Sequence, residues 1–150
     1  VSGWLLDATI LLEPLRVQAR GTVMERLRRH ERELATSADP WEALVHHWRT
    51  RKDATAKRLA GAYVLDVLGP TLTVHPFDQE AATWLATERA RLLLLGLAPP
   101  GDLAARTAAV AATRGLAIAT TTPDIYAAFD SLRVDPWADG PRIRAASLQH

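Results

Sequence analysis

Asp7 follows a short apolar run, Trp4-Leu5-Leu6, that reads as a β-strand, and it is the best-placed chemical group in the chain. In an open parallel sheet, ligands and reactions gather beyond the carboxyl ends of the strands. A lone aspartate there is more often a turn former or a helix cap, so catalysis would need partners. The common partners are missing. His46 and His47 are adjacent and face different directions on a helix, and no HExxH pair occurs. Ser37 and the Thr120-Thr121-Thr122 run lack the Gly-x-Ser-x-Gly turn of a serine nucleophile, and read as a cap and as strand-end hydrogen bonders. Neither GxxxxGK[ST] nor GxGxxG is present, which leaves nucleotide binding unsupported. With no cysteine, thiolate zinc sites, cysteine nucleophiles and disulfide frameworks are excluded. Basic residues cluster twice, in Arg26, Arg28, Arg29, Arg32 and in Arg49, Arg51, Lys52, Lys57, Arg58. Such runs are usually solvated helix faces and less often phosphate contacts.

The elements that must position Asp7 follow from pattern. The chain is 150 residues long, 48% hydrophobic and 23% charged, which fits one globular domain. Net charge is +1, so composition demands no polyanionic partner. The longest apolar run, Leu92 to Leu95 with Gly96 to Ala98, is about a third of the roughly 20 residues a bilayer span needs. Val1 to Asp7 carries no basic region ahead of its apolar stretch. These features predict a soluble, cytoplasmic protein without a membrane partner. Helices are expected over Thr22 to Glu33, from Ser37 or Asp39 with Pro40 at the first helical position, over Ala54 to Leu68 before Gly69-Pro70, from Asp78 to Leu95, over Asp102 to Arg114 before Gly115, and over Pro123 to Phe129. Strands are expected at Trp4 to Leu6, Leu34 to Ser37, Leu72 to Val74, Leu116 to Thr120 and Leu132 to Val134. Alternation of short strands with helices predicts an α/β fold: a central parallel sheet with helices on both faces. Residues 1–137 form the domain and 138–150 a polar tail. Trp41, Leu44, Val45 and Trp48 make an i, i+3, i+4, i+7 stripe, which reads as core or as part of a groove for a partner.

Leu5-Leu6-Asp7-Ala8-Thr9-Ile10-Leu11-Leu12-Glu13-Pro14-Leu15-Arg16 resembles the opening of PIN-domain ribonucleases, in particular VapC-type toxins. The likeness resumes at Phe77-Asp78-Gln79-Glu80-Ala81-Ala82, at Glu88-Arg89-Ala90-Arg91-Leu92, at Ala108 to Ala111, at Gly115 to Thr120 and at Leu132-Arg133-Val134-Asp135-Pro136-Trp137. The ordered set is far more specific than any one motif. It implies a PIN-like three-layer fold and RNA phosphodiester hydrolysis at three or four acids that hold Mg²⁺ or Mn²⁺. Hard octahedral cations prefer oxygen ligands, and a pair of them can activate water and neutralise the leaving oxygen. It further implies a homodimer and an antitoxin-like chain held in a hydrophobic groove, for which Trp41, Leu44 and Trp48 are the candidate contacts.

The departures from the family pattern fall on the acids. Asp7 matches the first. The second, third and fourth positions fall on Ala43, Ala104 and Thr122, with Glu42, Asp102 and Asp124 displaced by one or two residues. One step along a helix turns a side chain by about 100°, so Ala43 and Ala104 are expected to face Asp7 and Glu42 and Asp102 to point away. Asp124 is expected as a first-turn acid beside a helix dipole. Two readings follow from the resemblance. In one, Asp7, Glu42 and Asp102 are catalytic, Asp7, Asp102 and Asp124 hold the metal, and Arg106 holds RNA phosphate. In the other, the domain is degenerate and binds RNA, an antitoxin-like chain or a copy of itself. A partly exposed Asp7 is expected in either case.

Overall fold

The computed structural model describes residues 3–138. Five strands, β1 (Trp4–Leu6), β2 (Leu34–Ser37), β3 (Thr73–His75), β4 (Ala117–Thr120) and β5 (Val134–Pro136), form one parallel sheet in the order β3-β2-β1-β4-β5. Every neighbouring pair is parallel, with Leu5 level with Ala35 on one side and Ile118 on the other. Side chains alternate across a strand, so adjacent residues enter different layers. Leu5 and Ile118 pack beneath α5 (Gln79–Leu94) and α6 (Asp102–Arg114), with Leu85, Leu92, Ala108 and Tyr126. Leu6 and Ala119 face the opposite layer, where Ile10, Leu11, Val23, Leu44 and Val64 come from α1 (Ala8–Leu12), α2 (Gly21–Arg29), α3 (Ala38–Thr50) and α4 (Ala54–Ala62) with its π-helical continuation Tyr63–Leu68. This is the expected three-layer architecture.

Helix ends follow local chemistry. The Asp53 carboxylate caps α4 through the Ala56 amide and Asp78 caps α5 through the Ala81 amide. Gly115 closes α6 at φ 68°, a left-handed conformation open to glycine without a Cβ penalty. Several boundaries depart from expectation. The second helix stops at Arg29, and Glu31–Glu33 form a separate 3-10 turn. Pro40 is the third residue of α3, where its missing N–H is still among the unpaired ones of a first turn. Ser37 occupies the N-cap position, but its buried hydroxyl has no hydrogen-bond partner. Pro123–Tyr126 is a single 3-10 turn, and the last strand begins at Val134 rather than Leu132. The polar tail expected over 138–150 lies, beyond a buried Ala138, outside the described residues.

Gly61 allows α4 to lie against Trp48 of α3: a Cβ there would come within 2.7 Å of the indole nitrogen. Gly61→Ala should therefore lower stability by roughly 1 kcal/mol, overpacking outweighing alanine's better helix propensity. Urea unfolding of the variant beside wild type measures it.

Two buried acids secure loops. Glu13 accepts from the Arg20 amide at 2.9 Å and lies within 3.6 Å of Arg16 and 4.0 Å of Arg20. Glu88 of α5 accepts from Arg91 Nε at 2.9 Å and Nη2 at 3.1 Å and from the Asp130 amide at 3.2 Å, tying α5 to the loop before β5. The hydrogen bond from Arg91 holds the Glu88 carboxyl below its ordinary value, against the opposing effect of burial. A carboxyl lowered by folding contributes stability above its unfolded pKa and loses it as pH falls through the folded one. Glu88→Gln should thus cost about 1.5–3 kcal/mol at neutral pH, the worth of charged hydrogen bonds. The deficit should shrink in acid below the unfolded value of about 4.5, as urea melts at neutral and acidic pH would report.

Candidate functional site

β1 ends by delivering Asp7 to the carboxyl edge of the sheet, where its amide donates to the Ala119 carbonyl at 3.2 Å. The chain turns at once into α1, and Asp7 is its N-cap. Asp7 Oδ1 accepts from the Thr9 amide at 3.0 Å, the Thr9 hydroxyl at 2.5 Å and the Ile10 amide at 3.3 Å. The Tyr126 hydroxyl donates to Asp7 Oδ2 at 2.8 Å. Asp7 is only 2% exposed, which corrects the expectation of partial exposure: Tyr126, carried over it by the 3-10 turn after β4, seals it. Burial, followed by the charge of Asp7 and the hydrogen bond to it, pushes the Tyr126 phenol far above its ordinary value, so it remains a donor.

A threonine network surrounds the aspartate. The Thr9 hydroxyl accepts from the Thr121 amide at 3.0 Å and lies 3.5 Å from Thr120 Oγ1, which in turn accepts from the Thr122 amide at 3.0 Å. The strand-end threonines are thus hydrogen bonders, as their sequence context predicts. In front of Asp7 lies a cavity of about 380 Å³, walled by Ala8, Leu103, Ala104, Ile125 and Tyr126, with Asp102 and Thr107 beside them.

The structure brings together only some of the residues proposed from sequence. Asp102, the first residue of α6, is among the residues lining this cavity with Asp7 and Ala104. Its side chain is 89% exposed and accepts from Arg89 at 2.9 Å. Glu42 is exposed and Ala43 half-buried on α3, and neither is among the residues lining the cavity. Asp124 is exposed in the 3-10 turn and is likewise not in the cavity wall. Arg106 is engaged elsewhere: its Nε contacts Asp39 Oδ2 at 2.5 Å, and its guanidinium lies 4.0 Å from the Phe77 ring centroid. Leu44 is fully buried, so it is core and not a partner contact. Trp41 and Trp48 are half-buried and pack on that same core. Tyr126 and Thr9 were not singled out from sequence. Tyr126 is 119 residues from Asp7 and no local pattern links them.

The resemblance in sequence implies a divalent cation here, and the residues present do not fit one. A cation needs several oxygen ligands, whereas Asp7 Oδ1 already accepts from three protein donors and Oδ2, which accepts from Tyr126 alone, is the one Asp7 oxygen with room for a further partner. Asp102 turns to Arg89. Among the described residues, no three His, Asp or Glu side chains are grouped to hold a metal ion.

No protein-family model matches the chain, and no curated protein matches its sequence. Solved structures do match. The fold is PIN-like and VapC-like, as the sequence motifs predict. FitAcB from Neisseria gonorrhoeae is similar at 24% identity and a TM-score of 0.79, over 89% of this chain and 98% of the matched one. DNA-bound VapBC from Salmonella typhimurium matches at 20% identity and a TM-score of 0.77, over 91% and 99%. Mycobacterium tuberculosis VapC20, described as a sarcin-ricin loop cleaving toxin, matches at 18% and a TM-score of 0.57, over 87% and 99%. At these identities the likeness establishes the fold, and function belongs to the site. None of the described helices is long and apolar enough to cross a membrane.

Proposed function

We propose that the protein is the VapC-like member of a toxin–antitoxin pair whose strand-end site is degenerate, so that it acts in the cytoplasm by binding a protein partner rather than by metal-dependent hydrolysis. The observation that carries this reading is the lack of an acidic cluster: among the described residues no three His, Asp or Glu side chains are grouped to hold a metal ion, and Asp102, the acid beside Asp7 in the cavity lining, is turned to Arg89. Support for an antitoxin-like partner comes from the similar structures, which include toxin–antitoxin complexes. A groove of about 440 Å³ between α2 and the π-helical end of α4 suits an apolar helical segment of that partner. Met24 and Val67 stand exposed on its walls above Leu27 and Leu68. Leu93, Leu94, Leu95 and Leu97, all more than half exposed at the end of α5, offer an apolar face to a second copy of the chain.

A second reading retains Mg²⁺- or Mn²⁺-dependent RNA cleavage, because Asp102 shares the cavity with Asp7. The two readings separate cleanly. The purified protein should leave RNA intact with millimolar Mg²⁺ or Mn²⁺, and its melting temperature should not respond to either ion. RNA cleavage that Asp7→Asn abolishes would overturn the degenerate reading.

A further inference from the structure

We propose that Met24 is an oxidation switch on the groove between α2 and the π-helical end of α4: a peroxide converts its thioether to the sulfoxide, and the groove then loses its hold on an apolar partner segment. The inference rests on the reading of that groove as a partner site. The 150 residues contain one methionine and no cysteine, so they carry a single sulfur atom. Met24 lies in the lining of the groove with Leu27, Val67 and Leu68, and it is 38% exposed, open to a dissolved oxidant.

Peroxides react with cysteine and methionine sulfur ahead of other side chains, so this chemistry is confined to one atom of the chain. A lone pair of the Met24 sulfur attacks one peroxide oxygen and the O–O bond breaks. That oxygen stays on sulfur, and the other leaves as water with both protons. Sulfur gives up two electrons and the peroxide is reduced by them. The reaction touches the groove and spares the fold: Met24 belongs to neither core cluster, whereas its neighbour Val23 is fully buried.

The two oxidation states present different surfaces. A reduced thioether is flexible and apolar, and it adapts to the side chains of a partner. The sulfoxide places a polar acceptor oxygen at the same point of the wall. An apolar segment laid over that oxygen would strip it of water without offering a donor, which costs binding energy. Arg28, the i+4 neighbour on α2, also lines the groove and has no carboxylate partner among the described residues. Its guanidinium is a donor for the new oxygen, and that pairing makes the oxidised wall more polar still. Sulfoxide reductases reverse the change, so the switch works in both directions.

Fluorescence anisotropy with a labelled designed peptide of about 15 residues, leucines at i, i+3, i+4, i+7 on one face and glutamines on the other, reads the groove before and after hydrogen peroxide. Fragment mass spectrometry should place one added oxygen on Met24, and the affinity of the wild type should fall about fivefold or more. Methionine sulfoxide reductases of both stereospecificities should restore it. Met24→Leu keeps an apolar wall without sulfur, and its affinity should not respond to peroxide. Met24→Gln should bind more weakly than reduced wild type with no peroxide added. Val67→Asp, on the π-helical wall, should weaken binding in the reduced protein and so locate the peptide in the groove. Unchanged thermal melts would establish that the variants and the oxidised protein fold. A Met24 that stays reduced under conditions that oxidise free methionine, an affinity unchanged by complete conversion, or an equal loss in Met24→Leu would each overturn the switch and leave the groove reading standing. No binding of the peptide by the reduced protein, or binding indifferent to Val67→Asp, would overturn the groove reading itself and the switch with it.

Discussion

Asp7→Ala should destabilise the protein by about 3–5 kcal/mol, the cost of breaking a buried charged hydrogen-bond network. The mutation removes the acceptor of two amides and two hydroxyls at once. Thr9 and Ile10 lose the helix cap, and the Tyr126 hydroxyl is left as a buried donor facing a void. For a chain of this length, a loss of that size lowers the melting temperature by roughly 10 °C. Asp7→Asn keeps one carbonyl oxygen for the cap and should cost less, about 1–2 kcal/mol. Calorimetry on both variants decides. Acids held ready for a ligand are commonly strained, and replacing them tends to stabilise. An Asp7→Ala variant as stable as wild type would show that this carboxylate is kept for something other than the fold.

Restoring carboxylate oxygens should restore a cation site. Ala104 lies in the wall of the same cavity as Asp7, so Ala104→Asp adds a second acid there. Tyr126→Phe removes the donor that holds Asp7 Oδ2. Without metal, the double variant should be less stable than wild type, since adjacent carboxylates repel. With Mn²⁺ at about 100 times its dissociation constant, it should gain about 2.7 kcal/mol, or roughly 5–10 °C. Wild type should shift by less than about 1 °C under the same conditions, because no binding means no linkage. Melts with and without Mn²⁺ on the two proteins measure the difference. A large shift in wild type would mean that Tyr126 yields to a cation in solution; none in the double variant would mean that position 104 does not correspond to a metal-ligand position.

The layered fold was legible in sequence because its determinants are local. Trp4-Leu5-Leu6 and Ala117 to Thr120 are short apolar runs that suit buried parallel strands, and Gly115 closes α6 in a left-handed conformation that glycine adopts without strain. The extent of α6 was read correctly because its limits are set within a few residues by Pro99-Pro100-Gly101 and Gly115. The position of Asp7 after β1 was legible for the same reason. Its state was not. Whether that carboxylate is open to a cation or closed depends on Tyr126, brought over it by a turn more than a hundred residues away. Asp102 pairs with Arg89 and Arg106 with Asp39 through the packing of α6 against α5 and α3, which no pattern along one helix predicts. The apolar stripe on α3 was visible as a stripe, yet only the opposing layer decided that Leu44 is core. Periodicity and capping are properties of neighbours in the chain, so the sequence by itself determined the elements and their order. Burial and hydrogen bonding are properties of neighbours in space, and only the tertiary structure decided that the acid in the expected place is sealed.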